Sequence, residues 1–470
     1  MELEKYDEAL NEISDEHIAE SAKKRIVWRR SWWVAAVAAV LAVAIGIGIF
    51  RLPMPITAEA LAIAQESRIA KRPLRDDFEN VNDWRIAYDA WSEQNANRQS
   101  VADRAVLNMQ SFLVQGNSAF LSTGTDNLIW SPINAYIALA MTAELTGGNT
   151  QQQLMDLLGT ENTKNLRNEI SALWEVCYSD SNNEICTLAN SLWLENGLDC
   201  SQETLDVLSR DYYASVYRGD LGSNTMNSAI GAWLSNYTGG ILRQSSQNIR
   251  LPQDTLLALY STIYFQAKWR DAFSALNNTK DRFHAPSGDK TVIYMNKSLA
   301  QMDYYWGECF SAVALPLKNG STMWLILPDE GMTTADVLQD GQYLQMICDP
   351  QWENVKYMKV NLSVPKFDIV SRQDLRSGLQ TMGIADLFTE GVADFSALTA
   401  QTPLFVNSIN QAVRVQIDEE GVKAAVYVEI PGAGSAAPPT EIIDFILDRP
   451  FLFAITRNDV PLFAGVVNEP

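Results

Sequence analysis

From Val422 to Ile430 the chain alternates with a period of two. Val422, Ala424, Val426, Val428 and Ile430 are apolar, and Lys423, Ala425, Tyr427 and Glu429 lie between them. This predicts a strand with one buried face. Pro431, Gly432, Gly434, Ser435, Ala436, Ala437, Pro438 and Pro439 follow. Small residues and prolines neither fill a core nor complete a ladder, so this half is expected to be an exposed, mobile loop. Two apolar strand patterns close the chain, FILDRPFLFAI from Phe445 and PLFAGVVNEP from Pro461.

Other elements are legible upstream. ADRAVLNMQSFLVQ, from Ala102, is amphipathic at helical spacing. Asn127 to Gly159 reads as a short strand, an apolar helix, Gly147-Gly148 and a second helix. Ser131 is placed as N-cap, with Pro132 at the first helical position. Leu188 to Gly197 is an apolar strand, and Met226 to Gln244 a helix followed by a turn. Leu256 to Phe273 is a nearly continuous apolar strand, a pattern that requires cover on both faces. Val313 to Glu330 is a hairpin around Asn319-Gly320. Val360 to Phe388 gives a strand, a helix and Met382-Gly383-Ile384. Patterning alone supports one large α+β domain.

The N-terminal region has a different pattern. Residues 1–30 are acidic and then basic, ending in Lys23, Lys24, Arg25, Arg29 and Arg30. An uncharged run from Trp32 to Phe50 follows. At about 1.5 Å per residue it nearly covers a hydrocarbon core of about 30 Å. The basic cluster precedes it, and Trp28, Trp32 and Trp33 sit at the expected interface. The division expected is a cytoplasmic tail (1–30), a transmembrane anchor (31–51), a stalk (52–104) and one domain (105–470). The protein would then be a single-pass cell-membrane protein with its C-terminal domain outside. A cleaved signal peptide is the rival, with Ala58-Glu59-Ala60 a weak site.

Composition narrows the chemistry. The net charge of −21 argues against nucleic acid as a partner. With only His17 and His284 in the chain, a hydrolase has little to build a base from. No G-x-S-x-G, P-loop or H-E-x-x-H is present. The five cysteines include no C-x-x-C, so no metal or other cofactor is expected. Cys177 and Cys186 flank a polar turn and either pair or stay buried as thiols. These observations exclude an enzyme and leave the loop itself as the functional element.

The C-terminal stretch resembles the serpin family. VQIDEEG before the alternating strand, the small-residue loop, DRPFLF and PLFAGVVNEP stand in the family's order. So do the blocks ending in Lys268-Trp269 and in Pro365-Lys366-Phe367, and the resemblance runs from Ala105 to the end. It implies three β-sheets, about nine helices and an exposed reactive-centre loop. It also implies a monomeric suicide inhibitor of serine proteases, in which the cut loop strand inserts into the main sheet.

Carried onto this chain, the hinge and inserting strand are Glu420, Gly421, Val422, Ala424, Ala425, Val426, Val428 and Ile430. Counting from Gly421, and back from Pro438-Pro439, places the reactive bond at Ser435-Ala436. The small residues around it imply an elastase-like protease as partner. The shutter under the sheet would use Ser131, Asn134 and Gln411. Asn134 replaces a common Ser and Gln411 an expected His, while Val426 and Tyr427 interrupt the family's run of small residues. No charge of the strand faces inward, which suits insertion. The alternative is a serpin-fold binding or scaffold module whose loop does not insert.

Overall fold

The computed structural model describes residues 56–470, apart from 57, 65–71, 123, 182–183, 239–248, 319, 349–351, 402 and 423–439. The expected anchor Trp32–Phe50, the reactive bond Ser435-Ala436, and Ala424, Ala425, Val426, Val428 and Ile430 of the inserting strand therefore lie outside the described residues. Among the described residues, no helix is long and apolar enough to cross a membrane.

The described residues form nine α-helices. They are α1 (Val81–Leu121), α2 (Pro132–Leu145), α3 (Gly148–Leu158), α4 (Thr163–Cys177), α5 (Gln202–Asp211), α6 (Asn224–Tyr237), α7 (Thr334–Asp340), α8 (Gln342–Cys348) and α9 (Arg376–Thr381). Three sheets accompany them. The first runs β1 (Glu59–Ala62), β5 (Ala214–Gly219), β4 (Glu184–Glu195), β6 (Leu257–Lys268), β14 (Gly421–Val422), with β3 (Ser179–Ser181) also on β4. The second has nine strands. Its path is β15 (Ile442–Ile446), β11 (Val355–Pro365), β8 (Gly288–Trp306), β9 (Phe310–Pro316), β10 (Ser321–Pro328), β16 (Phe451–Arg457), β17 (Val460–Val467) and β2 (Leu128–Trp130), with β7 (Thr279–Ala285) pairing β8. The third is the pair β12 (Phe367–Asp374) and β13 (Asn410–Ile417).

The core lies between the first two sheets and α2. Every residue of α2 except Ala138 is buried, so its apolar run behaves as a fully enclosed helix rather than an amphipathic one. All eight residues of β17 are buried. The hairpin β9–β10 is in register from Thr322 opposite Pro316 to Pro328 opposite Phe310. Gly320 at its turn has φ +74°, a conformation that favours glycine.

The helix predicted from Ala102 starts far earlier. Helix α1 has 41 residues, about 60 Å at 1.5 Å per residue. Asn80 caps it, accepting from the Asp83 N–H at 2.8 Å. Its buried face begins only at Ala102 and continues through Ala105, Met109, Phe112 and Phe120. Before that point, Trp84, Tyr88 and Trp91 meet along one side as tilted pairs, with ring centroids 5.4 and 5.8 Å apart. Arg98 pairs with Glu175 of α4. Residues 52–104, read as a stalk, thus hold the first half of α1 together with β1, which pairs antiparallel with β5.

Candidate functional site

Strand β6 is an inner strand of the first sheet, between β4 and β14, and its two edges differ. One edge pairs with β4 from Ile185 opposite Gln266 to Leu194 opposite Leu257. On the other edge, among the described residues, only Gly421 and Val422 pair with it, opposite Lys268 and Ala267. Past them stands β13, which pairs with β12 and not with β6. The sheet is split along this line.

The split is a hollow. A cavity of about 450 Å³ is lined on one wall by Tyr260 to Phe265 and on the other by Asn410 to Gln416, with Val422 among its lining residues. A second, of about 330 Å³, is lined by Leu256 to Ser261 on one side and Pro403 to Gln411 on the other. Together they follow β6 over most of its length. Polar atoms within this region are buried without partners: Ser261 Oγ, Thr262 Oγ1 and Asn134 Oδ1. Buried polar groups are normally satisfied, so these three atoms are open to a further partner.

The hinge residues sit at one end of the slot. Gly421 has φ +151°, and a Cβ there would come within 2.4 Å of Ala267 O and 2.5 Å of Lys268 Cα. Only glycine lets the chain turn this close to β6. Val422 is buried on the core side, the side to which the alternating pattern assigns it. Glu420 is exposed, yet its carbonyl accepts from the Trp269 N–H at 3.1 Å.

The neighbouring residues fasten the turn. Trp269 Nε1 donates to Asp418 O at 2.8 Å, and the Phe273 N–H donates to Glu419 O at 3.0 Å. The Glu419 carboxylate meets Lys366 and Asn278. Desolvation pushes this carboxyl up, but the hydrogen bonds from Lys366 and Asn278 outweigh it and hold Glu419 below the usual glutamate range. These anchors were not assigned from the sequence. Trp269 and Lys366 were visible there only as parts of family-like blocks, because their partners are about 150 and 50 residues away in the chain.

Beneath the slot, the expected shutter residues do come together. Gln411 clamps Ser131 from both sides. Its Oε1 accepts from the Ser131 N–H at 2.8 Å, and its Nε2 donates to Ser131 O at 3.0 Å. Gln373 on β12 donates to Ile129 O at 3.1 Å. Ser131 does stand at the N-cap of α2 with Pro132 behind it, but its hydroxyl makes no cap bond. It donates instead to Leu462 O at 2.7 Å. The expected capping role is replaced by a tertiary bond, because β17 offers a carbonyl within reach. Asn134 lines both cavities.

The other candidates lie elsewhere. His284 faces Asp289 across the β7–β8 hairpin, with Nδ1 at 2.8 Å from Oδ1. All five cysteines are free thiols. Cys177 and Cys186 are buried, and burial pushes the Cys186 thiol up to about 12.

The profile of a family described as "Serpin (serine protease inhibitor)" matches residues 111–470. Plasminogen activator inhibitor 1 of Sus scrofa is 26% identical over 355 residues, which is 73% of this chain and 87% of that protein. Glia-derived nexin of Rattus norvegicus is 27% identical over 373 residues, 75% of this chain and 90% of its own. Among solved structures, the thermophilic serpin tengpin in its native state superposes with a TM-score of 0.69 at 22% identity, covering 88% of this chain and all of its own. A complex of thyroxine-binding globulin with thyroxine gives a TM-score of 0.60 at 21% identity, covering 79% and 99%.

Proposed function

The chain belongs to the serpin family, and from that premise we propose that it is a suicide-type inhibitor of extracellular, elastase-like serine proteases. A protease attacks Ser435-Ala436 and forms an acyl-enzyme. The cut strand, from Val422 to about Ala433, then enters the split between β6 and β13 and carries the protease with it.

One observation carries this reading: the two walls of the slot call for the same occupant. Gly421 and Val422 already pair antiparallel with Lys268 and Ala267. Gly421 also bridges Asp418 at the end of β13. Continuing the first ladder puts residues 424–429 opposite Phe265 to Tyr260. Continuing the second puts residues 423–429 opposite Gln416 to Asn410. Those are the residues that line the larger cavity. A strand placed there would complete the ladder that β6 lacks on this side, and burying its apolar positions would add about 25 cal/mol per Å².

Small residues on both sides of the bond favour a shallow, apolar primary pocket in the protease, which is why an elastase-like enzyme is proposed. The uncharged run Trp32–Phe50 is proposed to tether this activity to a cell surface; membrane fractionation of the full chain, with and without residues 1–51, tests that part.

The inhibitor reading is tested by mixing the full chain with elastase and running a denaturing gel. A detergent-resistant band is expected at the summed mass less the C-terminal peptide, which begins at Ala436 and is released. Cleavage without such a band, and with no rise in Tm of the cleaved chain, would leave a serpin-fold binding module whose loop does not insert.

A further inference from the structure

The walls of the slot carry side chains of uneven size. On β6, Ile263, Phe265 and Ala267 belong to the main core, while Ala258 and Tyr260 pack in a separate cluster with Trp233 of α6. Even-numbered positions of β6 therefore face α6. On β13, Val413, Val415 and Ile417 belong to the main core, so Ala412 and Arg414 share the outer face with Thr262 and Tyr264.

The two registers predict which side chains meet there. Ala425 falls between Tyr264 and Arg414, the bulkiest pair. Tyr427 falls between Thr262 and Ala412, the smallest pair. On the inner face, Ala424 falls between Phe265 and Val415. Where the walls are large the loop supplies alanine, and where they are small it supplies its one aromatic ring. The row continues through Ala189, opposite Thr262 on β4, and Arg372, opposite Ala412 on β12. Leu234, Thr238 and Ile249 line the same cavity.

We propose that Tyr427 keys the register in which the cut strand seats, its ring received between Thr262 and Ala412. This rests on the insertion reading above. A slip of one residue would turn Tyr427 into the core and every alternate apolar position out of it, which the alternation along the strand opposes. A slip of two keeps the faces correct, and only side-chain size opposes it. Such a slip would set the ring between Tyr264 and Arg414, or between Tyr260 and Asn410, where larger side chains fill the row. Tyr427, which interrupts the small-residue run, thereby does what small residues cannot: it distinguishes the correct seat from its nearest same-face neighbours.

The test compares four full-length chains, each cut in the loop by elastase: wild type, Tyr427→Ala, Ala412→Leu and the double variant. The readout is the rise in Tm on cleavage. Wild type is expected to rise. Ala412→Leu is expected to lose most of that rise and Tyr427→Ala part of it. The double variant is expected to recover beyond Ala412→Leu, because the leucine then fills the space the ring vacates. Before cleavage, Ala412→Leu should melt as wild type does, since its side chain enters an open slot. Thr262→Leu repeats the test from the opposite wall. A wild type without any rise takes down the insertion reading and this proposal together. A wild type that rises while the two single losses simply add, or while Ala412→Leu rises unchanged, overturns the register key alone.

Discussion

The two edges of β6 belong to one strand and one sequence, yet they are built to opposite ends. Toward β4 the ladder is continuous over ten residue pairs, and Trp193 of β4, fully buried, stands opposite Ala258 of β6. Toward β13 the described ladder has two pairs, a chain of cavities and orphaned hydroxyls. The first edge spends its interactions on present stability. The second withholds them, and an incomplete central ladder is what a strand could later complete. A split sheet is a store of unmade hydrogen bonds and unburied area.

The contrast can be attacked from each side. The largest loss of native stability is expected at the filled edge. Trp193→Ala removes a fully buried ring and should cost about 3–5 kcal/mol, read by chemical denaturation. A result under 1 kcal/mol would mean that the filled edge is no better built than the open one.

Next comes the short ladder at the end of the slot. Gly421→Val puts a branched Cβ against Ala267 O and Lys268 Cα. It should destabilise the native chain by about 1–3 kcal/mol through overpacking and strain. It should also expose the Ala267 and Trp269 amides to hydrogen exchange, the latter being bonded to Glu420 O. Unchanged protection there would show that the two-residue ladder does not depend on this glycine.

A smaller, pH-dependent effect is expected at Glu419. Its folded pKa lies below the unfolded value of about 4.3. Its contribution is therefore fully present above that value and is lost as pH falls through the folded pKa. Below about pH 4, protection of the Trp269 and Phe273 amides should fall, and Glu419→Gln should flatten that dependence. An identical acid profile in the variant would assign the effect to other carboxyls.

The smallest effect is expected in the wall of the slot. Ser261→Ala removes an Oγ that has no partner, so native stability should change by no more than about 0.5 kcal/mol. A loss above 1 kcal/mol would mean that the open edge is already satisfied.

Much of this architecture was legible in local pattern. The period-two run correctly put Val422 on the buried side, and the Ser131-Pro132 pair marked the start of α2. Asn319-Gly320 marked the turn between β9 and β10. Gly421, Ser131 and Gln411 were singled out through a family resemblance, and the structure places Gly421 at one end of the slot and Ser131 against Gln411. Other features left no local trace. The Ser131 hydroxyl bonds Leu462, more than 300 positions away, and Glu419 depends on Lys366 and Asn278. Nor did periodicity mark the start of α1, because Trp84, Tyr88 and Trp91 lie ahead of its buried face and form no long apolar stripe.

By itself, the sequence determined the order of elements, the faces they bury and the residue types of the hinge. Those follow from backbone sterics and from the spacing of apolar side chains, both properties of neighbours in the chain. Only the tertiary structure decided that β6 and β13 stand apart, that Gln411 holds Ser131 from both sides, and which side chains of the slot face Val422. Strand pairing is a choice among segments distant in sequence, and its register is set by how whole faces pack.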